Sequence, residues 1–253
     1  MPYRRLPNTN TARYKALKTA LDKGASLPPF QLPFKQESLL QLKSFFPEYD
    51  RSYRQLKEAH KTLSEYNKKY HEMRNKAKLY ISHFFQVFNM AIARGEISPK
   101  SREFFGLSEN NKKTPPLTSE KQIIKWGEQI IKGEPERIAA GGNPVTNPTI
   151  AVVRVHYDHF IDAYRQLSTY KEHYQRANEK IKKLIPIADE IILRIWNETE
   201  SFFSNLPDDE KRKKTSEFGI VYFFRKNESK ENKKNKGDIN KPDLQYSLLL
   251  FTN

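Results

Sequence analysis

The longest stretch without a helix breaker most constrains how this chain can fold. No glycine or proline lies between Pro47 and Gly95, and apolar residues recur there at every seventh position. One series comprises Tyr49, Leu56, Leu63, Tyr70, Ala77, Phe84 and Ala91; a companion series comprises Ser52, Ala59, Tyr66, Met73, Tyr80, Val87 and Arg94. A heptad repeat of this length predicts a coiled-coil-like helix, roughly 70 Å long at 1.5 Å per residue.

A second stretch repeats this pattern 111 residues later. Its series comprise Val153, Phe160, Leu167, Tyr174, Ile181, Ala188, Ile195 and Phe202, and His156, Ala163, Tyr170, Ala177, Leu184, Ile191 and Glu198. The tetrapeptide Tyr-Arg-Gln-Leu occurs at 53–56 and again at 164–167, in the same register. Pro186 interrupts the second stretch, and because proline lacks an amide hydrogen we expect a kink there.

The order of elements also repeats. In each half a short amphipathic helix ends near a glycine, a proline-containing linker follows, and a Phe-Gly turn comes after the long helix. This recurrence predicts a tandem duplication, with a first helical repeat at 1–115 and a second at 116–218. The extension 219–253 contains two apolar, strand-like segments, 220–224 and 247–251, around a loop rich in lysine and asparagine, which predicts a hairpin.

The predicted fold class is therefore all-α with a small C-terminal β-hairpin. We expect a tandem-duplicated helical bundle built on two long antiparallel coiled-coil-like helices, with both repeats folded together as one domain. The seam mixes aromatic residues with alanines, which favours the packing of two unlike helices within one chain. A parallel pair and a seam between two chains are the alternatives. The hairpin is expected to pack on the helices or to extend a sheet of another chain.

Composition and motifs argue against an enzyme. The chain has no cysteine, which excludes disulfides and thiolate chemistry. His156 and His159 have metal-ligand spacing, but no third ligand accompanies them, and His71 is followed by Asn75 where a zincin requires histidine. The glycines of 133–142 lack the Lys-Ser/Thr ending of a P-loop. We expect no catalytic residue, no metal site and no cofactor.

The sequence also predicts a cytoplasmic location without membrane insertion. The first residues lack the apolar segment of a secretory signal. No apolar stretch approaches the roughly 20 residues that a bilayer-spanning helix needs.

Positive charge is the main clue to a partner. The net charge is +15 and the isoelectric point is about 9.7, which favours anionic partners; a solvated lysine-rich surface is the alternative. If the long helices are antiparallel, two basic segments should meet at their middle. This basic belt comprises Lys68, Lys69, Arg74, Lys76, Lys78, Arg176, Lys180, Lys182 and Lys183.

Three segments resemble a group of uncharacterised, internally duplicated helical proteins of Bacteroidetes type. They are Ala-Lys-Leu-Tyr-Ile-Ser-His-Phe at 77–84, Lys-Trp-Gly-Glu at 125–128 and Glu-Phe-Gly-Ile-Val-Tyr at 217–222. The similarity spans residues 1 to about 226, so the lysine-rich loop and last strand look like an addition. The group has no established activity, so the resemblance implies nothing about chemistry.

From the sequence we expect a non-enzymatic cytoplasmic helical scaffold or interaction protein that associates with a protein partner or with itself. The alternative is binding of nucleic acid or a ribonucleoprotein through the basic belt.

Overall fold

A computed structural model describes residues 3–223 of the chain. Its α-helices are α1 (Asn10–Ser26), α2 (Gln36–Ala93), α3 (Glu120–Ala139), α4 (Ile150–Phe202) and α5 (Asp208–Ser216), with short 3₁₀ helices at Pro29–Gln31 and Pro99–Phe105 and two-residue strands β1 (Tyr3–Arg4) and β2 (Tyr222–Phe223). The chain divides into two compact units. Unit 1 combines 1–50 with 184–253, and unit 2 consists of 51–183. Each unit therefore takes residues from both predicted repeats.

The all-α class and the antiparallel pairing of α2 with α4 are confirmed. In unit 2 the Tyr66 ring lies 4.7 Å from Tyr170, and the Tyr80 ring lies 4.0 Å from His156 between centroids. Residue numbers therefore rise along α2 as they fall along α4. Unit 1 has the same polarity, because Gln41 accepts a hydrogen bond from Arg194 and Ser38 donates one to Glu198.

Unit 1 is built around helix α1. Thr9 begins this helix by accepting a hydrogen bond from the Ala12 amide, a typical N-cap. Buried small and apolar residues of α1, including Leu17, lie in the core of this unit. Arg13 fixes the helix to α4 through a bidentate ion pair with Asp189, at 2.7 and 2.9 Å. Most of the stability of a helix in a protein comes from its packing, and α1 is held by burial together with this ion pair and a hydrogen bond from Tyr14 to Asp50.

The core of unit 2 is aromatic. Phe84, Phe85 and Phe88 of α2 surround Phe105, with ring centroids 4.9–6.0 Å from it in edge-to-face geometry. The apolar face of α3 closes this cluster from the side. Close approach is possible because a glycine, Gly133, lies against the backbone of Phe104. Aromatic edge-to-face contacts add to the area term of the hydrophobic effect.

Helix α2 begins earlier than the sequence predicts. The expected start after Pro47 is wrong, because the helix runs from Gln36 and contains Pro47. Proline costs one backbone hydrogen bond inside a helix, but burial of Leu39 and Leu42 retains the first turns. Helix α4 likewise continues through Pro186. Both long helices therefore contain a proline, rather than the second alone.

The predicted strand at 220–224 is confirmed over Tyr222–Phe223, which forms β2. Within the described residues it pairs with β1 in antiparallel register, Tyr3 opposite Phe223 and Arg4 opposite Tyr222. The proposed second strand at 247–251 and the lysine-rich loop lie outside the described residues.

The contact of α3 with α4 gives a test of packing. A Cβ added at Gly127 would overlap the Tyr157 ring. Alanine normally stabilises a helix by about 1 kcal/mol relative to glycine, but overpacking a core costs about 1–3 kcal/mol. We therefore expect Gly127→Ala to lower the free energy of unfolding, measured by urea denaturation. The loss should shrink when the same change is made in a Tyr157→Ala background, and an equal loss in both backgrounds would contradict this packing.

Candidate nucleic-acid interface

All residues of the predicted basic belt lie in unit 2. Eight of the nine are exposed, namely Lys68, Lys69, Lys76, Lys78, Arg176, Lys180, Lys182 and Lys183. Arg74 is different: its Nε lies 3.2 Å from the Glu120 carboxylate, and it donates a hydrogen bond to the Thr118 carbonyl. It therefore holds the start of α3 rather than contributing to a surface for partners.

In the structure the two basic segments do not lie side by side but at different positions along the α2–α4 pair. Lys180 Nζ lies 3.4 Å from Gln55 Oε1 and the Tyr174 ring lies beside His60, so the basic part of α4 is next to residues near 53–65 of α2. Segment 68–78 of α2 instead lies beside residues near 158–168 of α4, as the Tyr66–Tyr170 and Tyr80–His156 contacts require. The expected single belt is thus two patches, displaced by about two heptads or roughly 20 Å.

One side of the helix pair in unit 2 is covered by α3. The Tyr157 hydroxyl donates to the Ile124 carbonyl, Tyr70 donates to Glu120, and the Trp126 ring contacts Phe85 edge-on. These contacts lie on one side of the seam formed by the two heptad series.

The opposite side of the seam, which we call the open face, consists of the residue that precedes each member of the first heptad series over 55–83 of α2 and 152–180 of α4. Its ten residues are Gln55, Thr62, Lys69, Lys76 and His83 on α2 and Val152, His159, Gln166, His173 and Lys180 on α4. All are exposed apart from half-buried Thr62.

A groove of about 460 Å³ lies at one end of the open face. It exists because two seam positions, Ala59 and Ala177, carry side chains too small to fill the space between the helices. Its lining residues are Gln55, Glu58, Ala59, Thr62, Tyr170, His173, Arg176, Ala177 and Lys180. Apart from the Glu58 carboxylate, its polar and aromatic groups can bind an anion or a planar ring. They include no serine or cysteine nucleophile.

Other sequence-level candidates have structural roles. His156 stacks on Tyr80 with an interplanar angle of 12°. Burial lowers its pKa, and the charges of Lys76 and His159 lower it further. Within residues 3–223 no group of three His, Cys, Asp or Glu side chains could hold a metal ion. In unit 1, Glu198 accepts hydrogen bonds from the Lys35 amide and the Ser38 hydroxyl, which caps the start of α2.

A buried ion pair near the end of α3 was not predicted from the sequence. Glu134 and Arg137 are 0% and 1% exposed, and two hydrogen bonds of 2.8 Å join them. Glu134 also accepts from the Val145 amide, and Arg137 donates to the Asn143 carbonyl. The pair ties the segment after α3 to the helix. The only signal is a Glu-x-x-Arg spacing, which most exposed helices also contain.

Comparisons with known proteins give no relative: no family model, no curated protein and no solved structure matches this chain. The similarity to Bacteroidetes proteins therefore stays a prediction. In the part of the chain that the structure describes, no helix combines the length and hydrophobicity needed to cross a membrane.

The buried pair gives a stability prediction. Arg137→Met leaves the Glu134 carboxylate buried without its counter-ion, so we expect the free energy of unfolding to fall by about 3–5 kcal/mol. Glu134→Gln combined with Arg137→Met should cost less than Arg137→Met alone, because no charge is then buried. Chemical denaturation measures both variants. A double variant as unstable as the single one would contradict this account.

The lowered pKa of His156 predicts that the stability of the fold depends on pH. Its pKa in the folded protein lies below the ordinary value of 6.5, so the unfolded chain binds a proton more readily as the pH falls. Its contribution to stability is present above pH 6.5 and decreases below it. We expect His156→Phe, which retains an aromatic ring against Tyr80, to lose less stability than the native chain between about pH 7 and pH 5. Parallel stability curves from denaturation at each pH would contradict this.

Proposed function

We propose that this protein is a non-enzymatic, cytoplasmic interaction protein that binds nucleic acid through unit 2. The proposal rests on the uneven distribution of positive charge between the two units. Unit 2 holds 25 of the 45 lysines and arginines but 14 of the 30 aspartates and glutamates, so it has +11 of the net charge of +15. A surplus of this size on 133 consecutive residues, 51–183, attracts phosphate backbones through the release of condensed counterions.

Both units pair some of their arginines with carboxylates. In unit 1, Arg4 pairs with Glu200 at 2.8 Å, Arg13 pairs with Asp189 at 2.7 Å, and Arg194 pairs with Glu190 at 2.9 Å. In unit 2, the paired arginines include Arg74, Arg94, Arg137 and Arg176. In unit 2 the exposed lysines project from both long helices, which gives a phosphate backbone cations on two neighbouring elements.

The surface chemistry supports binding rather than a reaction. Lysine and arginine position a phosphate backbone without sequence information, and the groove beside Tyr170 adds an aromatic surface for a base. Recognition of this type is sequence-tolerant and strongly dependent on salt. The scaffold hypothesis differs in its partner, which would be another protein or a second copy of this chain.

We predict that the intact protein binds a labelled DNA duplex of arbitrary sequence at low salt, with an affinity that falls linearly on a logarithmic scale of salt concentration. Reversal of Lys68, Lys69, Lys182 and Lys183 to glutamate should weaken binding and reduce the salt slope, because it inverts four of the positive charges of unit 2. Fluorescence anisotropy across a salt series measures both quantities.

The matched control reverses four exposed lysines of unit 1, Lys15, Lys18, Lys23 and Lys43, which changes the net charge equally. Equal losses in the two variants would contradict a role specific to unit 2, and no binding of the native protein at low salt would refute the proposal. Co-purification before and after nuclease treatment separates the alternatives, because a protein partner would remain bound after nucleic acid is digested.

A further inference from the structure

We propose that the open face of unit 2 is the binding surface for the phosphate backbone of nucleic acid. This assignment rests on the proposed function and deepens it, since it selects one side of the helix pair out of the whole cationic surface of the unit.

The composition of the open face supports the assignment. Three of its ten residues are lysines (Lys69, Lys76 and Lys180), three are histidines (His83, His159 and His173), and none is aspartate or glutamate. The others are amides, a threonine and a valine. Eight side chains with N–H groups, those of the lysines, histidines and two glutamines, therefore lie beside the seam, and no carboxylate of the open face opposes a phosphate.

Contacts across the seam show that the two helices contribute to one continuous surface. Lys180 donates to Gln55 at 3.4 Å. The Tyr66 hydroxyl donates to Gln166 at 2.7 Å. Lys76 of α2 and His159 of α4 both lie close enough to His156 for their charges to lower its pKa. Successive levels of the face are one heptad apart, about 10 Å, so positions 55–83 of α2 extend over roughly 40 Å.

The rows next to the open face restrict where a polyanion can lie. On α2 the outer row contains Glu58, Glu65 and Glu72, which repel phosphate. On α4 the corresponding row contains Asp162 as well as Arg176 and Lys183. A phosphate backbone is therefore drawn towards the seam and towards the end of the α4 row that carries Arg176 and Lys183. The groove lined by Ala59 and Ala177 lies on this path.

The opposite side of the seam is not equivalent. Helix α3 covers it, and its cations Arg74 and Lys171 both lie close enough to Glu120 to lower the pKa of that carboxyl. Lysines on the outer surface, such as Lys61, Lys68 and Lys182, are exposed but lie away from the seam, at positions of the heptad where the two helices do not face each other. They provide a direct comparison.

The test compares two triple reversals in the full-length chain. The first changes open-face residues, Lys69→Glu, Lys76→Glu and Lys180→Glu. The second changes outer residues, Lys61→Glu, Lys68→Glu and Lys182→Glu. Each set has two sites on α2 and one on α4, all exposed, and the same change in net charge. The probes are a labelled DNA duplex and a labelled single-stranded RNA, each measured across a salt series.

We expect the open-face variant to bind both probes at least about tenfold more weakly and to lose about 3 from the salt slope. The outer variant should lose less than about threefold. Equal losses would overturn the assignment while leaving nucleic-acid binding intact, whereas failure of the native protein to bind either probe refutes the proposed function itself. Circular dichroism checks the fold. If a reversal unfolds the chain, the corresponding lysine-to-glutamine sets give the same comparison.

Discussion

The packing of α2 against α4 is the constraint on which the rest of the structure depends. Its register is fixed by large rings at seam positions, such as Tyr66 against Tyr170 and Tyr80 against His156. A slip of one residue would rotate these rings away from the seam by about 100° and place lysines in it. The same register decides which side α3 covers and which residues remain on the open face. Charge and core are therefore set by one alignment.

The heptad pattern in the sequence was sufficient to predict the long helices and most seam positions, while it favoured the antiparallel pairing without excluding a parallel one. Tyr70, Ala77 and Phe84 are buried as expected. Phe202 is 54% exposed although it belongs to a seam series, because it is the last residue of α4. A heptad pattern predicts the buried face accurately in the middle of a helix. It is less accurate at the ends, where there are fewer neighbouring residues to pack against.

The sequence could not reveal the contacts between residues that are far apart in the chain. The true start of α2 was not predicted, because the sequence shows that Pro47 removes a helical hydrogen bond. It does not show the burial of Leu39 or the cap from Glu198. The positions of the two basic segments along the helix pair depend on which residues of α2 lie beside which residues of α4. The repeat offset of 111 residues does not determine that alignment. Glu134 and Arg137 appeared as ordinary surface charges, since burial is a property of the assembled fold.

The division into units also affects synthesis on the ribosome. Residues 51–183 are contiguous, so unit 2 has all of its chain as soon as residue 183 has left the exit tunnel. Unit 1 joins 1–50 to residues from 184 onwards, and Arg13 meets Asp189 only after that later segment has emerged. The N-terminal segment is made first but completes its core last, and until then the apolar side of α1 is exposed to chaperones and to other nascent chains.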